Sequence, residues 1–254
     1  MFLVATIVAA GALALVHVFV GKLRFLNANP ATWSSTAAGI GIAYAFLVLL
    51  PKLASAQSAL QAVSEPGLYG FLVHHAYLVA LVGLIIYYGM DVAVENVLVL
   101  ADRRVWRPAV KLLVHAHAGS LMGYYLLVSY LMSQQSDGSP VGYFSLFLFA
   151  AAMILHYATI DLGLRRKYGG LYDRYIRWVF VVASIAGCLL AMVSKIPYTA
   201  LALLNSLFAG ALLVFTLKEK TPGSDRILFR PFLVAASSYS FVIILIEILT
   251  IDTL

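Results

Sequence analysis

Eight side chains able to carry charge or bind a metal fall within or at the edges of long apolar stretches: His17, Asp91, Glu95, His115, His117, His156, Asp161 and Glu247. Ionisable groups surrounded by hydrocarbon are costly to keep, so each is a functional hypothesis. Imidazole nitrogens and carboxylate oxygens suit a divalent ion such as zinc. A buried histidine beside an aspartate equally suits proton relay. Spacing narrows the set. His115 and His117 are two positions apart, about 200° around a helix, so only one can face a given site. His156 and Asp161, five apart, share a face only loosely, at about 140°. The metal or proton set is therefore His115 or His117 with His156 and Asp161. The structural alternative is a polar knot between two helices that needs no ligand. The other residues have plainer readings. Asp91 and Glu95 share a face and serve as interfacial carboxylates pairing with Arg103 or Arg104. His17 hydrogen-bonds inside a bundle, Glu247 reaches water near a helix end, and His74 and His75 are interfacial.

The elements that position these groups follow from composition. Of 254 residues, 63% are hydrophobic and 11% charged, and mean hydropathy is +0.94. An average soluble domain carries roughly 25% charged residues, so this chain cannot cover a water-facing surface. Continuous apolar runs of about 20 residues recur from end to end, each long enough to cross the bilayer as a helix. Helices are expected at 2–21, 34–55, 70–96, 108–132, 141–164, 173–194, 197–217 and 231–250. Breaker signals separate them, including Asn29–Pro30, Glu65–Pro66–Gly67, Asp137–Gly138–Ser139–Pro140, Gly169–Gly170 and Thr221–Pro222–Gly223.

Basic residues set the topology. Of the 17 Lys and Arg, all but Lys52 and Lys195 fall after the first span or between spans 3 and 4, 5 and 6, and 7 and 8. The positive-inside rule then puts both termini outside. The first span has Lys22 and Arg24 after its apolar core and no basic residue before it, which predicts a retained helix rather than a cleaved signal. The expectation is an all-α integral membrane protein, one domain over 1–254, in a bacterial-type cytoplasmic (inner) membrane. Its placement in the loops explains the net charge of +6 without nucleic acid. The lone Cys188 excludes a disulfide or a thiolate cluster within one chain and reads as a packing residue.

Topology also fixes depth. Helix 4 enters near Arg107, so His115 lies roughly 12 Å into the membrane, and His156 lies roughly 13 Å above Arg165. The two meet if helices 4 and 5 are neighbours, as their short connection suggests. Small residues mark close packing in helix 2 (Ala37–Ala38–Gly39–Ile40–Gly41) and helix 7 (Ala209–Gly210–Ala211). Each has an Ala-Gly pair, an aliphatic run and then a lysine, and the two helices run in opposite directions. That is a weak signature of an inverted-repeat transporter.

The pattern resembles the ZIP family of divalent-metal transporters. Ala38–Gly39–Ile40–Gly41 through Leu49–Leu50–Pro51–Lys52 looks like that family's second helix, and Phe208–Ala209–Gly210–Ala211 through Phe215 looks like its seventh. His156–Tyr157–Ala158–Thr159–Ile160–Asp161–Leu162–Gly163 falls where the family has His-Glu-x-Pro-His-Glu-x-Gly in helix 5. His156 keeps the first histidine and Asp161 stands at the second glutamate, while Tyr157, Thr159 and Ile160 depart from the pattern. In helix 4, His117–Ala118–Gly119–Ser120 keeps only the histidine of the family motif, and Val48 and Lys52 replace two ligands of helix 2. The resemblance implies a 3+2+3 arrangement, with helices 1–3 and 6–8 as inverted repeats. It also implies transport of zinc, another divalent cation or a related small solute, with His115, His117, His156 and Asp161 as the metal residues.

Two further readings remain. One is a non-transporting scaffold or partner subunit that reuses the fold, favoured by the lost ligands. The other is a membrane-embedded enzyme, for which no His-Glu-x-x-His, Gly-x-Ser-x-Gly or paired acidic motif is present, so no enzymatic activity is expected. The stretch Arg165–Arg166–Lys167–Tyr168–Gly169–Gly170 suits phosphate or acidic headgroups, although topology alone explains its charge. Expected partners are the lipid bilayer, a small ion or solute and a second copy of the chain, with no nucleic acid.

Overall fold

The computed structural model describes residues 2–23, 28–61, 67–100, 108–133, 140–194, 196–218 and 228–251. Among these, helices and short turns account for the whole fold. α1 is Phe2–Phe19, prolonged by a 3-10 turn Val20–Lys22. α2 is one continuous rod: Pro30–Tyr44, a π-helical turn Ala45–Leu49, and Leu50–Leu60. A short helix, Gly67–Val73, precedes α3, Ala76–Leu100. Then come α4, Pro108–Ser133, and α5, Pro140–Tyr168. α6 is Arg177–Val193, entered through a π turn Tyr172–Ile176. α7, Tyr198–Lys218, and α8, Phe229–Ile251, complete the chain.

Local chemistry sets several boundaries. α2, α4 and α5 each begin on a proline, whose fixed φ and missing N–H suit the first helical position. α5 ends at Gly169, whose φ of +56° is left-handed and whose N–H bonds the Arg165 carbonyl at 2.8 Å, a helix-stop geometry that favours glycine. One expectation is corrected. The third span is not a single helix over 70–96, because the chain breaks at His74 and His75. Both imidazoles turn Nδ1 back to carbonyls four residues earlier, on Gly70 and Phe71, each at 2.6 Å. The Gln57 amide of α2 bridges the break, accepting from the Ala76 N–H at 2.7 Å and donating to the His74 carbonyl at 2.6 Å.

Among the described residues, seven helical stretches are long and apolar enough to cross a membrane: Leu3–Lys22, Pro30–Ser55, Ala76–Leu98, Gly142–Tyr168, Tyr172–Val193, Tyr198–Thr216 and Phe229–Ile248. The protein is thus a multi-pass membrane protein in its helical content. The expected fourth span, α4, is as long as the rest but more polar. His117, Tyr124, Tyr125, Ser129 and Tyr130 are buried, while Lys111 and His115 near its start are exposed, so only part of the polarity that sets α4 apart is turned into the bundle.

The broadest packing joins α3 to α7, α4 to α6 and α2 to α8, followed by α1 with α6 and α5. Glycines permit the closest crossings. A Cβ on Gly39 would strike the Phe232 carbonyl of α8, and one on Gly210 would strike the Ala80 carbonyl of α3. A Cβ on Gly187 of α6 would likewise meet the Leu126 carbonyl of α4. α4 and α5 are neighbours of another kind. Their backbones touch little, and long side chains from Tyr124 and Tyr125 bridge the gap to His156, Tyr157 and Asp161. The core is correspondingly aromatic, with Tyr124, Tyr125, Tyr157, Tyr172, Phe149, Phe180 and Phe208 fully buried.

Arg24, Arg103, Arg104, Arg107, Lys195, Lys220 and Arg226, with the breaker signals expected within 62–66, 134–139 and 219–227, lie outside the described residues.

Candidate functional site

Asp161 of α5 is fully buried, and so is His17 of α1. The His17 Nδ1–H donates to Asp161 Oδ2 at 2.5 Å. The Tyr125 hydroxyl of α4 donates to the other carboxylate oxygen at 3.1 Å. On the far side of the imidazole, the Ser184 hydroxyl of α6 reaches Nε2 at 3.4 Å. Four helices therefore converge on one carboxylate–imidazole pair. Both imidazole nitrogens have partners, as burial demands of a polar ring. Aromatic rings enclose the pair. Tyr157 stacks on His17 at 5.3 Å, Tyr125 meets it edge-on at 4.6 Å, and Phe180 closes a third side at 5.6 Å. A hydrogen-bonded His–Asp pair in such surroundings can hold or pass a proton, or fasten four helices together.

A second cluster lies nearer one end of the bundle. Lys167 Nζ of α5 donates to Asp91 Oδ1 of α3 at 2.8 Å. His117 of α4 places Nε2 3.7 Å from the same oxygen, and the Tyr168 hydroxyl meets its Nδ1 at 2.5 Å. The carboxylate and ammonium are about one-fifth exposed. Close by, Arg165 pairs with Asp173 at 3.0 Å and donates to the Gly21 carbonyl at 3.3 Å, tying the end of α1 to the α5–α6 connection. Replacing Lys167 with Met removes a charge-assisted bond that water only partly screens. The expected loss is about 1 kcal/mol, read by thermal unfolding in detergent, and Lys167→Arg should recover most of it.

The four residues put forward as metal ligands stand apart. His115 is exposed on the outer side of α4, and its Nδ1 is 2.6 Å from the Lys111 carbonyl. His117 faces inward to Asp91 and Tyr168, as two positions on a helix require. His156 Nε2 hydrogen-bonds the Tyr124 hydroxyl at 3.0 Å, and Asp161 binds His17 and Tyr125. His115 and His156 do not meet. Among the described residues, no three His, Cys, Asp or Glu side chains are grouped so as to hold a metal ion. Lys167 is a cation beside Asp91 that the sequence reading did not name, and the expected partners Arg103 and Arg104 lie outside the described residues.

Sequence reasoning singled out Asp161, and gave His17 a hydrogen bond within the bundle without naming its partner. It read Tyr125 only as one of many tyrosines suited to interface belts or partner contacts, and it passed over Ser184. Nothing in the spacing of those two separates them from packing residues, and His17 and Asp161 are 144 positions apart in the chain.

No family model, no curated protein and no solved structure matches this chain. Fold and site together describe a helical, multi-pass membrane protein whose buried centre is a His–Asp pair braced by tyrosines.

Proposed function

We propose that the chain is an eight-span, ZIP-like membrane carrier of a small solute or ion, with α1–α3 and α6–α8 as inverted repeats around α4 and α5. The pattern of helix packing carries this reading. Exchanging α1–α3 with α6–α8, and α4 with α5, turns the α2–α8 contact into α7–α3 and the α1–α5 contact into α6–α4, and all four are among the broadest in the molecule. The close crossings obey the same exchange, Gly39 on α8 and Gly210 on α3. So do two tyrosine bonds. Tyr87 of α3 donates to the Ser120 carbonyl of α4 at 3.3 Å, and Tyr239 of α8 to the Leu148 carbonyl of α5 at 3.1 Å.

Packing also sorts the helices into two groups, α1, α4, α5 and α6 against α2, α3, α7 and α8. Relative motion of two such groups is the usual basis of alternating access. In this reading α4 is the eighth span, both termini face outward by the positive-inside rule, and the membrane is the cytoplasmic one. The separate commitments of His117, His156 and Asp161 favour a solute other than a divalent cation.

One observation favours the scaffold reading instead. Where α2, α4, α5 and α7 meet, aromatic rings fill the space. Tyr44 lies against Phe149 at 5.5 Å, Tyr124 against Phe215 at 4.9 Å, and Phe149 against Phe208 at 6.3 Å. The test is uptake of zinc, manganese and a panel of organic solutes into liposomes containing the purified protein, with thermal shift in detergent alongside. Saturable uptake of any of them, cut at least about tenfold by Tyr124→Ala or His156→Ala, is the expected result. Zinc flux lost in His156→Ala would restore the metal cargo. No uptake and no thermal shift with any compound would overturn the carrier and leave the scaffold.

A further inference from the structure

An apolar groove of about 330 Å³ opens between α4 and the start of α6. Val114, His115 and Ala118 form one wall, and Leu171, Tyr175 and Val179 the other. The accessible wall is wholly apolar. Even His115 turns Nδ1 to the Lys111 carbonyl and lends ring carbon to the groove. The volume falls at the lower end of the range for small-molecule pockets and accepts a stretch of acyl chain.

Its charged rim says which lipid. Lys111 is one helical turn before Val114 and His115, on the same stripe of α4, and is exposed. Arg174 adjoins Tyr175 in the opposite wall, with its guanidinium 5.3 Å from the centre of that ring. α4 and α6 run in the same direction if the spans alternate, so both cations stand at the same end of the groove. Lys167 and Arg165, by contrast, are already paired, the first with Asp91 and the second with Asp173. Neither Lys111 nor Arg174 has a carboxylate partner among the described residues. A basic pocket between membrane helices, opening onto an apolar slot, is complementary to an anionic headgroup with its tail.

We infer that the groove between α4 and α6 binds one anionic phospholipid, with its acyl chain along Val114, Ala118 and Val179 and its phosphate held by Lys111 and Arg174. This inference does not depend on the transport reading. It needs only that these helices lie in a bilayer.

Native mass spectrometry of the detergent-purified protein, titrated separately with phosphatidylglycerol and phosphatidylcholine, tests it. The expected result is one tightly held phosphatidylglycerol per chain, preferred over phosphatidylcholine by about tenfold, as two cations at a membrane surface allow. The Lys111→Gln, Arg174→Gln double variant should bring the two lipids near parity, and Lys111→Arg should keep the preference. Ala118→Trp, which fills the slot, should weaken both lipids. All variants are first required to elute as a single species with wild-type unfolding temperature in lipid-free detergent. If one fails, Lys111→Gln and Arg174→Gln are read singly. Equal retention of the two lipids by the wild type, or a preference that survives loss of both cations, would overturn the assignment.

Discussion

Gly210→Val should not accumulate as a folded protein. A Cβ at this position would lie inside contact distance of the Ala80 carbonyl and the Leu84 amide of α3. Both are backbone atoms of a helix and cannot rotate aside. α3 and α7 would have to separate along one of the broadest contacts in the molecule. Overpacking in a core that can adjust costs about 1–3 kcal/mol, occasionally more, and a crossing of backbone on backbone belongs at the high end. Gly83→Val should do similar damage from the other side, since its Cβ would strike the Leu207 carbonyl. Gly89 lies on the same helix with nothing within 4 Å of its Cβ position. Gly89→Ala should therefore be neutral, or stabilising by roughly 0.5–1 kcal/mol, from the backbone entropy of glycine. Monodispersity on size exclusion and unfolding temperature in detergent decide the matter. Equal behaviour of Gly210→Val and Gly89→Ala would show that α3 and α7 do not cross as described.

That contrast marks the boundary of what the sequence discloses. The Ala-Gly pairs at Gly39 and Gly210 are visible in the string, and both sit where another helix crosses. Their partners, α8 and α3, are not visible, because hydrophobic pattern fixes the period of a helix but not which neighbour it meets. Helix positions are legible for the same reason. The fourth span expected at 108–132 and the seventh expected at 197–217 correspond to Pro108–Ser133 and Tyr198–Lys218. The break at His74 and His75 escapes notice because it depends on Gln57, a residue of another helix. The polar centre is harder still. Angular arithmetic on α4 separates His115 from His117, and the structure turns one outward and the other inward. It could not show that Asp161 turns toward α1 while His156 turns to Tyr124. Five residues of helix leave about 140° between two side chains, and the packing of α1 and α4 determines which neighbour each one meets.

Asp161→Ala should be the most damaging single polar substitution. It strips His17 Nδ1 and the Tyr125 hydroxyl of their acceptor, and both groups are buried with no route to water. Each buried donor left without its acceptor costs about 1–3 kcal/mol, and two are stranded at once. His17→Ala leaves Asp161 with the Tyr125 hydroxyl and the nearby Tyr172, and should cost nearly as much. The Asp161→Ala, His17→Ala double variant should cost much less than the sum, with a coupling of about 2 kcal/mol, because the second change removes a group already stranded by the first. Additive losses would mean that the two side chains do not interact. Asp161→Asn separates structure from transport. The amide keeps the shape and an acceptor for Tyr125, and the other imidazole tautomer lets His17 accept from the amide while Nε2–H donates to Ser184. Unfolding temperature should therefore stay much closer to wild type than in Asp161→Ala. If the pair works by gaining and losing a proton, the uptake that defines the carrier should fall in Asp161→Asn despite the intact fold. If the pair only fastens α1, α4, α5 and α6 together, uptake and stability should move in step across Asn and Ala. The comparison distinguishes a proton-handling centre from a structural one, because the amide keeps the shape and the partners of the carboxylate but cannot take up or release its proton.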